Sequence, residues 1–439
     1  MFSMFINAFK VKDIRKKLIF TFLCLIVVRL GCQIACPGMG EGVKNLINQA
    51  DLGFLNALTG GSLERMSIFA LNVSPYITAS IIMQLLTIAI PRLAELQKDG
   101  ESGRKKIAEI SRYMTVVLAL IESSAMAIGF HNSGYLADDK IITIIIIAVA
   151  FTAGSAFLMW LGENITERGV GNGISIILLI NIVSSMPQTF KALYDQFISN
   201  HTFAKALLAA VIIIGACIIT LVLIILLQDA ERKIAVQYSK KMQGRRMVGG
   251  NSSHIPVKVN TAGVIPVIFA VSIFQFPVII ASFFGVQGNA TGTFGEKVLY
   301  ACNTQNWFRV TSWSKFAFTI GAVFYVAMIL FFAYFYTSIT FNPIEISNNM
   351  KKDGGFIPGI RPGKPTTDYL VKVLNYIVLI GAIGLAIVAL IPIIFGGVFN
   401  AQLGFGGTSL IIVVGVVLET MKQIESQLLV RHYKGFLND

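Results

Sequence analysis

Residues 203–227 read FAKALLAAVIIIGACIITLVLIILL and carry a single charged side chain, Lys205. A run of about 20 apolar residues is long enough to cross the hydrocarbon core of a bilayer as a helix. A soluble helix of this length would instead repeat its apolar residues with a period near 3.6. The segment therefore predicts a helix that spans a membrane.

The rest of the chain has the same character. Of its 439 residues, 55% are hydrophobic and 13% are charged, whereas roughly a quarter of the residues in soluble domains are charged. This composition argues against a soluble enzyme. Similar apolar runs recur along the chain and predict ten spans, near residues 18–36, 68–90, 113–131, 141–161, 173–190, 203–227, 262–284, 316–339, 370–395 and 407–428.

The basic residues give these spans an orientation. Ten spans place both termini on one side, and 27 Lys and Arg residues fall in the segments on that side against eight on the other, with Arg29 inside the first span. Because positively charged loops stay in the cytoplasm, we expect both termini to be cytoplasmic. The net charge of +13 then belongs to one surface, which topology and anionic lipid explain, although such a surface could also contact ribosomal RNA.

The chain divides near residue 200 into two sets of five predicted spans. In each set a long segment follows the first span, and proline interrupts the second span. Five spans per set give the halves opposite orientations, the pattern of an inverted repeat with a pathway between its halves. We expect an N-terminal half over 1–200 and a C-terminal half over 201–439, with large cytoplasmic loops at 228–261 and 340–369.

Two function classes fit this pattern, a protein-conducting channel and an inverted-repeat secondary transporter of a small solute. A transporter should carry ionisable residues at mid-bilayer, and the candidates here are few, namely Arg29 and Glu122. A narrow ring of aliphatic side chains can exclude water and ions by dewetting, and it can yield around a passing chain. The residues favour the channel and leave the transporter as the alternative.

We expect neither an enzyme nor a cofactor or metal site. The glycine-rich stretch Gly169–Gly173 lacks the Lys-Ser/Thr end of a phosphate loop. The four histidines lie in different loops without the spacing of metal ligands.

Several dense stretches carry a family resemblance along nearly the whole chain. They are IFALNVSPYITASIIMQLL at 68–86, GESGRKK at 100–106, WLGENITERGVGNGIS at 160–175, QGRRM at 243–247 with HIPVKVNTAGVIP at 254–266, FNPIEISNNMKKDGGFIPGIRPG at 341–363, and FGGTSLIIVV at 405–414. Together they resemble the SecY/Sec61-alpha family of channel subunits. The resemblance implies an all-α integral membrane protein whose two inverted five-helix halves enclose an hourglass pore, closed by a short plug helix.

The same resemblance implies partners and a location. We expect a bacterial cytoplasmic membrane protein that works with SecE, SecG, the motor ATPase SecA and the ribosome. Nascent polypeptides would cross through its centre, and apolar signal sequences or transmembrane segments would leave sideways into lipid. It would catalyse no covalent reaction itself.

The family's pore ring and plug map onto specific positions. The aliphatic ring corresponds to Val73, Ile77, Ile174, Leu178, Ile268 and Ile412. The plug corresponds to residues 51–65, in which Leu52, Leu55 and Leu58 form an apolar stripe, Gly60 and Gly61 permit a hinge, and Arg65 ends the segment. Judged from the residues alone, the preferred interpretation of this segment is an ordinary exterior loop with an amphipathic turn.

The family's lateral gate would lie between the second and seventh spans. Its polar candidates are Thr78, Gln84, Glu122, Ser272 and Gln275. A lone carboxylate in lipid is costly, so we expect Glu122 to face Thr78, Gln84 or the seventh span, with a helix-packing hydrogen bond as the alternative.

Three arginines are candidates for docking SecA or the ribosome. Arg361 lies in the GIRPG turn and matches a family position important for work with SecA, while Arg245 and Arg246 lie at the tip of the other large loop. The guanidinium fork suits phosphate or carboxylate. Solvated charge that only sets topology is the alternative.

Overall fold

A computed structural model describes residues 9–39, 59–132, 134, 136, 138, 140–199, 203–238, 241–243, 246–248, 252–283, 292–303, 306–308, 319–399 and 407–435. Its α-helices, in chain order, are α1 Lys12–Gly31, α2 Ser74–Ala89, α3 Pro91–Lys98, α4 Gly100–Asn132, α5 Ile141–Arg168, α6 Gly173–Tyr194, α7 Phe203–Asp229, α8 Ile265–Phe283, α9 Phe294–Cys302, α10 Ile320–Thr340, α11 Pro343–Lys352, α12 Lys364–Phe399 and α13 Gly407–Gly435.

A helix lies at each of the ten predicted spans. In the described part of the chain, six helical segments are long and apolar enough to cross a membrane, and the pair α2–α3, bent by 106°, is a seventh candidate. The apolar part of α8, Ile265–Phe274, is shorter. The chain is therefore a largely helical, multi-pass membrane protein. The helix α7, from which the prediction began, exposes mostly Leu, Ile and Val side chains, as a lipid-facing helix does.

The second predicted span is wrong in its first six residues. We predicted a helical run from residue 68, but α2 begins at Ser74, and residues 67–73 form successive turns. Pro75 lies in the first turn of α2, the position where proline's missing N–H costs nothing. Asn72 has a φ of 52°, a left-handed conformation that no helix can contain.

The turns before α2 are held by close packing against neighbouring helices. The Ser62 hydroxyl donates to the carbonyl oxygen of Phe69 at 3.0 Å. A Cβ atom on Gly154 of α5 would overlap the carbonyl oxygen of Ile68, and one on Gly31 of α1 would overlap the ring of Phe69. The two glycines therefore let α1 and α5 approach the irregular segment closely enough to fix it.

The large loops contain a three-stranded sheet in the order β4-β1-β5 and a separate two-stranded sheet of β2 and β3, both of which the all-α prediction missed. Strands β1 Glu231–Tyr238, β2 Lys241–Gln243, β3 Arg246–Val248, β4 Ser252–Lys258 and β5 Gly355–Phe356 are short. Strand β1 pairs antiparallel with β4, placing Ile234 opposite Ile255, and its other edge pairs with β5. The sheet thus joins the loop after α7 to the loop before α12.

One end of the molecule gathers several helix ends. Ile14 near the start of α1, Val170 just after α5 and Ile424 near the end of α13 pack in one buried cluster. An ion pair of 2.8 Å joins Lys422 of α13 to Asp229 at the end of α7. If ten spans alternate in direction, the start of α1 and the ends of α5, α7 and α13 must lie on the same side of the membrane. The contacts above bring these four helix ends together.

Candidate pore constriction

All six residues predicted for the pore ring meet in one apolar cluster. Val73, Ile174, Leu178 and Ile412 are buried members of it, and Ile77 and Ile268 are partly buried and pack against it. None of the six carries a donor, an acceptor or a charge. The structure therefore groups aliphatic side chains from four helical segments in one apolar core. None of these side chains needs a polar partner or a bound ligand in a defined geometry.

Each pair in the cluster follows helical spacing. Val73 caps α2, and Ile77 lies one turn later on the same face. Ile174 and Leu178 are likewise one turn apart on α6. Since Ile268 belongs to α8 and Ile412 to α13, the first half of the chain supplies four side chains and the second half two.

The motif GVGNGIS places Ile174 by forming a tight connection between α5 and α6. Gly171 has a φ of +78°, and a Cβ atom on Gly173 would overlap the carbonyl oxygen of Gly162. The side chain of Asn172 accepts a hydrogen bond from the backbone N–H of Ser175 and so caps α6. The first turn of α6 is thus fixed where it enters the cluster.

The cluster is part of one core of the protein and packs against a second core through Ile77. The core of the second half is built from α8, α10 and α12 and includes Trp307 and Tyr325, and the only buried side chain of the first half among its described members is Ile81 of α2. Ile77 packs against both cores. Ile77 and Ile81 of α2 therefore belong to the core that also contains residues of α8, the helix with which α2 was predicted to form the lateral gate.

Polar groups lie beside the ring. The side-chain amide of Asn181 on α6 donates to Oδ1 of Asn72 at 3.2 Å, and both residues are 1% exposed. Arg29 of α1 donates from Nη1 to the carbonyl oxygen of Gly60 at 3.3 Å. Sequence reasoning missed the asparagine pair because 109 residues separate its members and neither carries a local signal.

The plug prediction is only partly within the described residues. Leu52, Leu55 and Leu58 lie outside them. Gly60 and Gly61 have φ values of +65° and +80°, so this turn uses the left-handed conformation that glycine permits. A Cβ atom on Gly60 would lie 2.7 Å from Nη1 of Arg29 and 3.0 Å from the carbonyl oxygen of Asn181, and Arg65 is exposed.

The gate candidates do not form a hydrogen-bonded group among the described residues. Thr78 donates to Ser74 O within its own helix, and Gln84 lines a cavity of about 330 Å³ between α2, α3 and α4. Glu122 of α4 and Ser272 of α8 are half-buried, and no hydrogen bond or ion pair reaches Glu122 from the described part of the chain. The side chain of Gln275 lies outside the described residues.

Of the docking candidates, Arg361 is the one whose side chain the structure describes. It is exposed in a turn whose backbone is anchored, since Thr366 donates to the Arg361 carbonyl at 2.8 Å and Ser347 donates to that of Gly363 at 3.1 Å. Arg245 lies outside the described residues, and Arg246 begins β3.

The sheet beside Arg361 had a signal that sequence reasoning overlooked. Ile234 and Val236 on β1 are both buried and alternate with exposed neighbours, and Val257 on β4 is buried in the same cluster. Period-two burial of this kind predicts a strand.

Comparison with known proteins agrees with this geometry. A sequence profile of the SecY family matches residues 67–421. The chain is 44% identical over 445 residues to protein translocase subunit SecY of Halalkalibacterium halodurans, and the alignment covers 100% of both proteins.

Two solved structures share the fold. One is a SecY protein whose plug domain is described as stabilising the closed state of the translocation channel, with a TM-score of 0.62 and 19% identity over 94% of this chain and 92% of that one. The other is Sec61 in the canine ribosome–channel complex, with a TM-score of 0.58 and 18% identity over 94% and 92%. On the profile match and the full-length relative, this chain belongs to the SecY family.

Proposed function

We propose that this protein is a protein-conducting channel, and that the six-residue aliphatic cluster is its constriction. The observation that carries the proposal is that one apolar core contains Val73, Ile77, Ile174, Leu178, Ile268 and Ile412, and that Ile77 also packs against the core of the second half. Apolar side chains resist water and ions by dewetting. They also separate without breaking hydrogen bonds, so an unfolded chain can pass between them and apolar segments can leave sideways into lipid.

We further propose that the chain works in a bacterial cytoplasmic membrane as ten spans in two inverted halves, 1–200 and 201–439, with both termini in the cytoplasm. The cluster of Ile14, Val170 and Ile424 supports this topology, because it gathers the ends that alternation assigns to one side. The basic residues concentrate on that same side, as the positive-inside rule requires.

The partners follow from the family. SecE would clamp the two halves and SecG would join them, while SecA or a ribosome would dock on the cytoplasmic loops. The ribosome-bound Sec61 relative supports the ribosome as a partner. The exposed Arg361 and the loop containing Arg245 and Arg246 would take part in docking, and their charge suits ribosomal RNA.

The lateral gate and the plug complete the proposal. The gate would open between α2 and α8. Ile77 and Ile81 of α2 share a core with residues of α8, and the polar groups of the gate would come from Thr78, Gln84, Glu122, Ser272 and Gln275. The plug would be residues 51–65, hinged at Gly60 and Gly61. The solved SecY protein with a plug domain that maintains a membrane seal supports this assignment.

Reconstitution tests the channel directly. The protein is placed in lipid vesicles with SecE, supplied with SecA and ATP, and given an unfolded precursor. Transport of the precursor into the lumen is the expected result. A protein that moved a small solute when reconstituted alone, and no precursor with its partners present, would be the transporter instead.

Ring variants locate the constriction in the same vesicles. Ile77→Ser and Ile268→Ser place a hydroxyl in the cluster, so we expect each to raise the resting ion leak. Ile82→Ser is the matched control, since Ile82 lies on α2 and is also half-buried but is not in the cluster. An equal leak in all three variants would place the constriction elsewhere.

A further inference from the structure

The asparagine pair beside the ring joins two elements that supply ring residues. Asn181 lies on α6 at positions i+7 from Ile174 and i+3 from Leu178, so the three side chains share one face of the helix. Asn72 directly precedes Val73. The 3.2 Å hydrogen bond between the two amides therefore connects the element that carries Val73 to the helix that carries Ile174 and Leu178.

The backbone does not require asparagine at position 72. A φ of 52° is tolerated by asparagine but suits glycine better, because glycine has no Cβ atom to crowd the carbonyl oxygen. Asparagine thus occupies a position that glycine would fit with less strain, and its side chain contributes the hydrogen bond to Asn181.

The surroundings make that bond difficult to replace. Both residues are 1% exposed, so water does not compete at this point. Oδ1 of Asn181 has no hydrogen-bond partner in the described part of the chain, and the Asn181 backbone packs against Gly60. A buried amide is stabilised by each hydrogen bond that it makes, because a buried polar atom without a partner carries the full free-energy cost of its desolvation.

We propose that the Asn72–Asn181 hydrogen bond is a latch that holds the constriction closed, an inference that rests on the proposed channel function. Widening the ring separates Val73 from Ile174 and Leu178, and Asn72 must move with Val73. The bond is therefore made in the closed state and broken in the open one, so its loss shifts the equilibrium towards opening. One buried neutral hydrogen bond corresponds to a shift of about threefold to tenfold.

The test uses Asn72→Gly, Asn181→Ala and the double variant in the reconstituted complex. Asn72→Gly removes the amide and relaxes the backbone, so it keeps the fold. The measurements are the resting ion leak, export of a precursor with a defective signal sequence and export of a normal precursor. Asn164→Ala is the control, because among the described residues the Asn164 amide donates only to the Trp160 carbonyl within its own helix.

The latch predicts that each single variant raises the leak and the export of the defective precursor about threefold to tenfold. The double variant should exceed neither single one, because both remove the same bond. Normal export should persist and Asn164→Ala should resemble the parent protein. An unchanged leak in Asn72→Gly, or a double effect equal to the product of the single ones, overturns the latch. Failure of the parent protein to export any precursor would instead count against the channel.

Discussion

Arg29 of α1 reaches the turn that precedes the irregular segment, with 3.3 Å between its Nη1 atom and the carbonyl oxygen of Gly60. The guanidinium lies so close that a side chain at position 60 would contact it. A helix inside the apolar part of the protein is thereby connected to the proposed hinge of the plug segment, residues 51–65.

We expect Arg29→Leu to loosen residues 59–67. A charge-assisted hydrogen bond is worth about 1.5–3 kcal/mol at most, so the backbone amides of Arg65, Met66 and Ser67, which bond to Gly61, Leu63 and Ser62, should exchange hydrogen about tenfold faster or more. Hydrogen exchange read by mass spectrometry measures this directly. Arg29→Lys keeps a donor, so its exchange rates should lie between those of the parent protein and those of Arg29→Leu. Identical exchange in the leucine and lysine variants would show that the bond does not hold the turn.

A pair of glycines tests the packing of the irregular segment. A Cβ atom on Gly154 would overlap the backbone of Ile68, whereas one on Gly215 of α7 would have no neighbour within 4 Å. We expect Gly154→Ala to destabilise the protein by about 1–3 kcal/mol, because backbone must move. Gly215→Ala should be neutral or stabilise by up to about 1 kcal/mol through helix propensity. Thermal unfolding in detergent compares them, and equal midpoints would contradict the close approach.

Trp307 lies between α9 and α10 and packs into the core of the second half. Its indole N–H donates to the carbonyl oxygen of Ala301 at 2.7 Å, and the ring is fully buried. Trp307→Phe should cost about 1–3 kcal/mol, because it leaves that buried carbonyl without its donor.

Tyr325 provides the opposite case in the same core. Its ring packs edge-on against Phe274 and its hydroxyl is buried without a partner among the described residues. Tyr325→Phe should therefore be neutral or stabilise by up to about 1 kcal/mol. Unfolding midpoints of the two phenylalanine variants, measured side by side, should move in different directions. A large loss in Tyr325→Phe would indicate that its hydroxyl has a partner after all.

The sequence predicts the membrane-spanning helices well because a run of apolar residues, which defines a span, is a local property of the sequence. A span must contain about 20 apolar residues whatever it packs against, and all ten predicted runs contain a helix. The start of α2 could not be predicted in this way. It depends on Gly154 and Gly31, which approach residues 68 and 69 from distant parts of the chain, and on the hydrogen bond from Ser62 to the Phe69 carbonyl.

The ring shows a different limit. Its six residues are ordinary aliphatic positions, and only the family motifs single them out, while the structure brings them together. The β1–β5 pairing and the Asn72–Asn181 bond join residues more than 100 positions apart. No local pattern specifies such a partner, even where the period-two burial of β1 indicates that a strand exists.

Glu122 tests the gate. It is half-buried on α4 with no partner in the described part of the chain, and a carboxylate costs free energy inside a bilayer. If it faces the gate, Glu122→Leu makes the gate more apolar and should lower the signal hydrophobicity needed for export, whereas Glu122→Gln should have a smaller effect. Export of precursors with graded signal hydrophobicity measures the threshold. An unchanged threshold in Glu122→Leu would remove Glu122 from the gate.

Arg361 tests docking. Its turn is held by hydrogen bonds from Ser347 to the Gly363 carbonyl and from Thr366 to the Arg361 carbonyl, which fix the backbone that carries the exposed guanidinium. A rigid fork of donors matches a carboxylate better than an ammonium does. We therefore expect Arg361→Gln to reduce SecA-driven transport about tenfold, as the loss of a bidentate charged pair would, while the unfolding midpoint stays unchanged.

The matched control for docking is Lys364→Gln, because Lys364 is exposed at the start of α12, three residues after Arg361, and the substitution removes the same charge. If docking needs the guanidinium, Lys364→Gln transports at nearly the full rate and Arg361→Lys recovers only part of it. If the loop contributes only general positive charge, both glutamine variants fall equally and Arg361→Lys is restored fully. A full rate in Arg361→Gln would mean that this side chain only marks the cytoplasmic side of the membrane.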